Sequence, residues 1–337
     1  MKTDRAGFVL IAALWILVAL SAVGLQAALE SQTRRRASAN VVDETRARVA
    51  GRAAGEWARS RLTAVSLGME EQVRTDAAPS VGGGWMEATR STDLGLGPVN
   101  DAWWNPRALL PPEIVLGDTR VRIAVRDVGT ALNLNEATEE MLGQFFSLGL
   151  ELDFALADEI TQAILDWRDE DDIPRVHGGE IDAYLDDGLQ VLPANRGFST
   201  VDELGYVRGV TPEILEIARP HLTLVGSGDI NVNSAPYEVL VAAPGMTREA
   251  ALAVIQLRES GLYPTDEDDI EDIVSRSAER RLDRRSREFR SRTDFLTAEL
   301  EILLEGGVEG SPVQLRLQLV VSRNPSGEPR IIWSATG

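Results

Sequence analysis

The chain has 337 residues, long enough for two domains that each bury a core in addition to a membrane segment. Its 53 acidic residues outnumber 34 basic ones, giving a formal net charge of −19, so the bulk of the protein repels nucleic acid and anionic lipid. With no cysteine and only His177 and His221, a disulfide framework, a thiolate metal site, a cysteine nucleophile and a multi-histidine metal site are excluded.

A polar leader, Met1 to Gly7, meets Phe8 and then an uncharged run through Leu29. About 20 helical residues cover the ~30 Å hydrocarbon core of a bilayer, so this run is long enough to span one. Helical composition continues without proline to about Leu62, which predicts one helix of roughly 50 residues from Phe8. Val41, Val42, Val49 and Trp57 are the expected packed face of its second half. The abrupt switch at Gly7-Phe8 resembles the type IV pilin and pseudopilin signal. That resemblance implies cleavage between Gly7 and Phe8 by a prepilin peptidase, N-methylation of Phe8, and a retained helix. A secretory signal peptide, with Ala22-Val23-Gly24 as a weak cleavage site, and an uncleaved anchor are the alternatives. Lys2 and Arg5 precede the span, whereas Arg34, Arg35, Arg36, Arg46, Arg48 and Arg52 follow it. A count of positive residues alone places the arginine side in the cytoplasm, against the pilin topology.

From Gly68 to Gly117 the chain is broken by Pro79, Gly82-Gly83-Gly84, Pro98, Pro106 and Pro111-Pro112, which reads as loops. Trp85, Trp103 and Trp104 are expected to pin them to the core. Val121 to Arg126 alternates apolar and basic residues, the period of a half-buried strand, and Asp127-Val128-Gly129 ends it. Residues 133–274 read as mainly helical. Strand alternation returns in Phe295 to Ile302 and Val313 to Val321, with Gly306-Gly307 and Asn324-Pro325-Ser326-Gly327 as hairpin turns. A helical block therefore interrupts a β domain. Inside it, Asn133-Leu134-Asn135-Glu136-Ala137 recurs as Asn231-Val232-Asn233-Ser234-Ala235, and Pro244-Gly245-Met246 follows the second copy. This resembles helix-hairpin-helix sequence, and Val201 to Thr211 has the same character.

An acidic constellation runs through Asp166, Asp169, Glu170, Asp171, Asp172, Glu180, Asp182, Asp186 and Asp187. Oxygen ligands this dense suit a hard cation such as calcium (Ca2+), which takes about 6–8 oxygens. Numbered from Asp169, an EF-hand pattern fails at Ile173 and at Pro174, so Pro174 and Gly178-Gly179 must instead return Glu180 and Asp182 to the first cluster. A solvated acidic loop is the alternative. Residues 276–292 carry eight arginines with interleaved acids, which reads as a solvated or domain-spanning charged segment. No phosphate loop, histidine dyad or paired-carboxylate motif is evident, and no enzyme is expected.

Taken in order, the prepilin signal, a strand ending in Asp127-Val128-Gly129, Asn133-Leu134-Asn135, Asp166-Trp167-Arg168-Asp169, the helical insertion and the C-terminal β segment resemble the K-type minor pseudopilins of type II secretion systems. The resemblance implies an α+β fold: a pilin-like long N-terminal helix packed on an antiparallel β-sheet, with a large all-α domain of helix-hairpin-helix or SAM-like type inserted between strands. Expected boundaries are leader 1–7, transmembrane half-helix 8–29, periplasmic half-helix 30–65, β domain 66–130, inserted domain 131–275 and second β part 276–337. It further implies a single-pass inner-membrane protein with a periplasmic domain. I- and J-type minor pseudopilins are the implied partners in a pseudopilus tip complex, with H- and G-type pseudopilins below and no nucleic acid. Calcium in the inserted domain is implied, with Asp169, Asp171, Asp172, Glu180 and Asp182 as candidate ligands. Most pilins have glutamate as the fifth mature residue; here, counting from Phe8, it is Ala12, which fits a subunit with none above it. The competing reading is a membrane-anchored, competence-like DNA-binding protein, weakened by the acidic charge and by a Pro244-Gly245-Met246-Thr247 turn that lacks a second glycine.

Overall fold

In the computed structural model, residues 4–66, 101, 103–266, 269–270, 286–323 and 329–336 are described. Helix α1, Asp4–Ser66, is 63 residues long, beginning before Phe8 and ending close to the expected boundary. Over its apolar half, the described side chains from Ala13 to Leu29 are all exposed. Its C-terminal half lies on a sheet through a stripe at helical spacing: Ala47, Ala50, Gly51, Ala54, Gly55, Ala58, Leu62 and Val65. Val41, Val42 and Val49 are exposed instead, and Trp57 packs only partly. Small residues were selected at this face because the sheet comes close. A Cβ at Gly51 would stand 2.9 Å from Leu315 Cδ2, and one at Gly55 2.8 Å from Leu319 Cδ1.

A short helix α2, Pro106–Leu109, leads into β1, Glu113–Leu116, and β2, Thr119–Asp127. The chain then leaves the sheet and returns as β7, Glu299–Val308, β8, Leu315–Arg323, and β9, Pro329–Thr336. The sheet is antiparallel throughout with order β1-β2-β7-β8-β9, so β2 pairs directly with β7 across the whole interruption. In β2, Val121, Ile123 and Val125 face α1, while Arg122 and Arg126 pair across the other face with Glu305 and Glu301. Gly306 and Gly307 do not turn the chain; they sit inside β7, opposite Val121 and Arg120. There a side chain on Gly307 would reach within 2.8 Å of the Val313 carbonyl oxygen. The turn falls at Gly310, whose φ is +79°. Residues 295–298 also stay outside the strand.

The interrupting block builds its own core. It contains β3, Leu132–Asn133, α3, Glu139–Gln144, α4, Phe154–Arg168, α5, Ile181–Asp186, and α6, Pro212–Ala218. Next come β4, Leu222–Thr223, β5, Ile230–Asn231, α7, Tyr237–Leu240, α8, Arg248–Glu259, α9, Ser286–Arg292, and β6, Thr293–Asp294. Two parallel strand pairs, β3 with β4 and β5 with β6, accompany the helices, so the block is not purely helical. Phe289 and Phe295 pack into its core, which carries it past the expected boundary at 275. Trp103 is buried, donates from Nε1 to Ser66 Oγ at 3.0 Å and lies under Arg323; Trp104 packs edge-on to Tyr263. Trp85, most of the 68–117 loop, residues 276–285 of the arginine-rich run and the Asn324-Pro325-Ser326-Gly327 turn lie outside the described residues.

Asp127, at the end of β2, joins sheet to block. It accepts hydrogen bonds from the Gly129 amide, Asn231 Nδ2, Ser234 Oγ and Thr297 Oγ1, the last three through Oδ2. Asp101 closes the other side, accepting from the Thr297 amide and pairing with Arg323 at 2.7 Å.

Candidate metal centre

Helix α4 is capped by Asp153 and buries Ile160, Ala163, Ile164 and Trp167 along one side, which fixes where its last turn ends. That turn presents Asp166, which is fully buried, and the chain then swings out at Asp169. Asp166 Oδ2 accepts the amides of Arg175 and Gly179, at 3.1 and 2.8 Å, and so folds the acidic loop back on itself. Gly178 is required at the crossing, since a Cβ there would lie 2.1 Å from Asp166 Oδ2. The result delivers Glu180, at the start of α5, to the carboxylates that follow α4.

One carboxylate oxygen each from Asp169, Asp171 and Glu180 lies within 4.8 Å of the other two. Asp172 is tied instead to Asn195 Nδ2 at 2.9 Å, and that same nitrogen reaches the Asp171 carbonyl. Asp182 sits exposed in the first turn of α5 and is outside the group, because the helix turns it away once Glu180 has entered. Of the five candidate ligands read from the sequence, the fold brings Asp169, Asp171 and Glu180 together and leaves Asp172 and Asp182 outside the group. The sequence reading placed Asp166 in the acidic constellation without seeing that it shapes the loop, and it missed Asn195, whose bond to Asp172 spans 23 residues.

Buried oxygen atoms without hydrogen-bond partners cluster here: both carboxylate oxygens of Glu180, Oδ1 of Asp169, Oδ1 of Asp166 and Oδ1 of Asn195. Orphaned acceptors of this kind cost about 1–3 kcal/mol each, more when charged. Arg175 offsets part of the charge, approaching Asp166 Oδ1 at 3.2 Å and Asp169 Oδ2 at 3.4 Å. Burial first, and then the neighbouring Asp166, Asp169, Asp172 and Asp171, push Glu180 up to about 7. Burial likewise raises Asp166 and Asp169 above the usual carboxylate range. An all-oxygen set with unspent acceptors suits a hard divalent cation, and the residues fit calcium.

The second hairpin has the opposite character. Gly245, with φ +78°, gives its amide to Glu140 Oε1 at 3.2 Å, and Met246 is buried. A turn whose amide already holds a carboxylate is not presented to phosphate.

Residues 125–227 match the family model described as type II secretion system (T2SS), protein K. The chain is similar to a putative type II secretion system protein K of Escherichia coli K12, 28% identical over 39% of this chain and 42% of that protein. It is also similar to type II secretion system protein K of Pectobacterium carotovorum, 32% identical over 33% of this chain and 36% of that protein. The chain thus matches about two fifths of the length of these relatives. Its fold resembles a chain of the GspK-GspI-GspJ complex of the enterotoxigenic E. coli type 2 secretion system, with TM-score 0.53 and 18% identity, covering 75% of this chain and 92% of that one. Residues 125–227, which begin near the end of β2 and contain the acidic loop, thus resemble type II secretion system protein K, and the overall fold resembles a chain of that complex.

Proposed function

We propose that this chain is a minor pseudopilin of type II secretion, an assembly subunit that works by geometry and not by catalysis. The observation that carries the reading is α1: one helix whose apolar half is unpacked while its other half closes the core of an antiparallel sheet. A helix of this kind is at home first in a bilayer and then among like helices in a fibre. The Gly7-Phe8 junction lies within α1, and cleavage there with methylation of Phe8 would free the apolar half for lateral packing. The protein would then be held in the inner membrane by a single pass, with the rest of the chain in the periplasm.

The tip position and the I- and J-type partners are part of the proposal. They are supported by the K-protein domain, by likeness to a chain crystallised with such partners, and by Ala12 in place of an acid. The block grafted between β2 and β7 would stand where a further subunit would be added. H- and G-type pseudopilins would lie below. Calcium held by Asp169, Asp171 and Glu180 would neutralise the loop that Asp166 folds.

The test is co-expression of the full chain with I- and J-type partners, detergent extraction and a mass measurement of the chain. A stoichiometric complex containing a chain that begins at methylated Phe8 is expected. A chain that keeps residues 1–7, or that never co-purifies with either partner, would refute the reading.

A further inference from the structure

The arginine triplet behind the span is left unexplained by the assembly role, and the count of positive charges argues against that role outright. At about 1.5 Å per residue, the apolar run from Phe8 to Leu29 rises roughly 33 Å, close to the hydrocarbon thickness once a modest tilt is allowed. α1 continues unbroken, so Arg34, Arg35 and Arg36 lie about 7–10 Å further on. That is the depth of the lipid headgroups, and arginine side chains can bend back toward phosphate from there.

Further along this helix three arginines have carboxylate partners within the protein, while none is seen for Arg52 among the described residues. Arg46 reaches Asp43 and Asp118, Arg48 reaches Glu44, and Arg59 reaches Glu56. The triplet differs. Its one carboxylate partner is Glu30, 3.9 Å from Arg34 with both side chains largely exposed, and among the described residues no ion pair is seen for Arg35 or Arg36. Three successive helical positions differ by about 100° each, so the guanidinium groups spread over roughly 200° of the circumference, wider than one protein-binding face. Guanidinium forks match phosphate oxygens two at a time.

We infer that Arg34, Arg35 and Arg36 form a collar that binds anionic phospholipid headgroups through their phosphates and fixes the depth of α1 in the bilayer. The inference rests on the membrane-anchored reading above. It accounts for positive charge on the far side of the span: the collar holds lipid at whichever leaflet it meets. It would also make the cleaved protein, which loses Lys2 and Arg5 with its leader, depend on this end for its position. The net charge of −19 arises further along the chain, since residues 8–65 carry eight arginines against four acidic residues.

The test uses the full chain in nanodiscs of equal phosphatidylglycerol and phosphatidylcholine, released into native mass spectrometry. Phosphatidylglycerol should be retained over phosphatidylcholine by about tenfold. Combined Arg34→Gln, Arg35→Gln and Arg36→Gln should bring the two lipids near parity, while combined Arg46→Gln, Arg48→Gln and Arg52→Gln keeps the preference. Parity in the unaltered chain, or equal loss from both triple variants, would overturn the collar. As the chain lacks cysteine, Ser38→Cys can report sidedness by labelling with an impermeant maleimide in spheroplasts. Labelling from the cytoplasmic side alone would refute the periplasmic reading, while the lipid measurements alone decide the collar.

Discussion

Arg168 and Arg258 hold equivalent places in the two halves of the inserted block. Arg168, at the end of α4, donates to the carbonyls of Leu134 and Ala137, and Arg258, in α8, donates to those of Val232 and Ala235 at 3.1 and 2.8 Å. Each clamps a segment that carries a pair of asparagines, in which Asn133 Oδ1 takes the Asn135 amide and Asn231 Oδ1 takes the Asn233 amide. Asn135 then reaches the Phe198 carbonyl, and Asn233 those of Pro264 and Phe295. In the second half, residues 259–263 cross from the arginine to the first of these carbonyls. In the first half the crossing takes residues 169–197, and the acidic loop occupies that excursion.

Replacing either arginine by methionine keeps much of the stem packing but strands two carbonyls. Burial already pulls both guanidinium groups below their ordinary value, a sign of the desolvation they bear. A loss of about 2–4 kcal/mol is expected from each, with Arg168→Met also weakening calcium binding because it lies one residue from Asp169. Thermal unfolding of the full chain in detergent, with and without calcium, separates the two effects. Equal calcium response in both variants would show that Arg168 acts on stability alone.

Glu180 sets the pH dependence. Its ordinary value is 4.5 and the fold raises it to about 7, through burial and then its carboxylate neighbours. In EDTA, therefore, the folded chain holds a proton that the unfolded chain has released, and stability falls as pH climbs from about 4.5 to about 7 before levelling. Calcium needs the ionised form, so its stabilising effect should grow over that same interval. Glu180→Gln should flatten the EDTA profile, raise the midpoint near neutral pH, and lose most of the calcium response. A variant with an unchanged pH profile would exclude Glu180 as the titrating group.

Asp127 carries the joint between sheet and block. Asp127→Ala would leave Asn231, Ser234 and Thr297 without their shared acceptor, at a cost of about 3–5 kcal/mol. Gly129→Ala attacks the same joint sterically, because its Cβ would lie 2.8 Å from the Asn231 backbone nitrogen. Limited proteolysis should detect release of the block in both variants before the sheet is lost. Simultaneous digestion of both would mean that the two cores unfold as one unit.

Sequence periodicity made the long helix, β2, β8 and the interrupted sheet legible, because each has a clear alternation or a sustained helical run. Asp169, Asp171 and Glu180 were reachable from ligand density plus the Pro174 and Gly178-Gly179 bends. Asp182 was not separable from Glu180, since two residues of helix decide which enters the cluster. The glycines of β7 were misread as a turn because only the pairing with β2 and the Gln314 segment reveals the lack of room. The packed face of α1 was missed for a related reason: hydrophobicity pointed to Val41, Val42 and Val49, whereas close approach to the sheet selects alanine and glycine.

That last correction yields a direct test. Ala54 and Ala58 are fully buried between α1 and the sheet, where neighbouring side chains include Leu304 and Leu319 at Gly55. Ala54→Leu or Ala58→Leu adds three carbons to a filled interface and should cost about 1–3 kcal/mol by forcing the helix outward. Val49→Ser removes apolar surface that is 63% exposed and should change stability by no more than about 0.5 kcal/mol. The order is opposite to what hydrophobicity alone would give. Unfolding midpoints of the three variants check it, and a more damaging Val49→Ser would mean that the valine face is the one packed in solution.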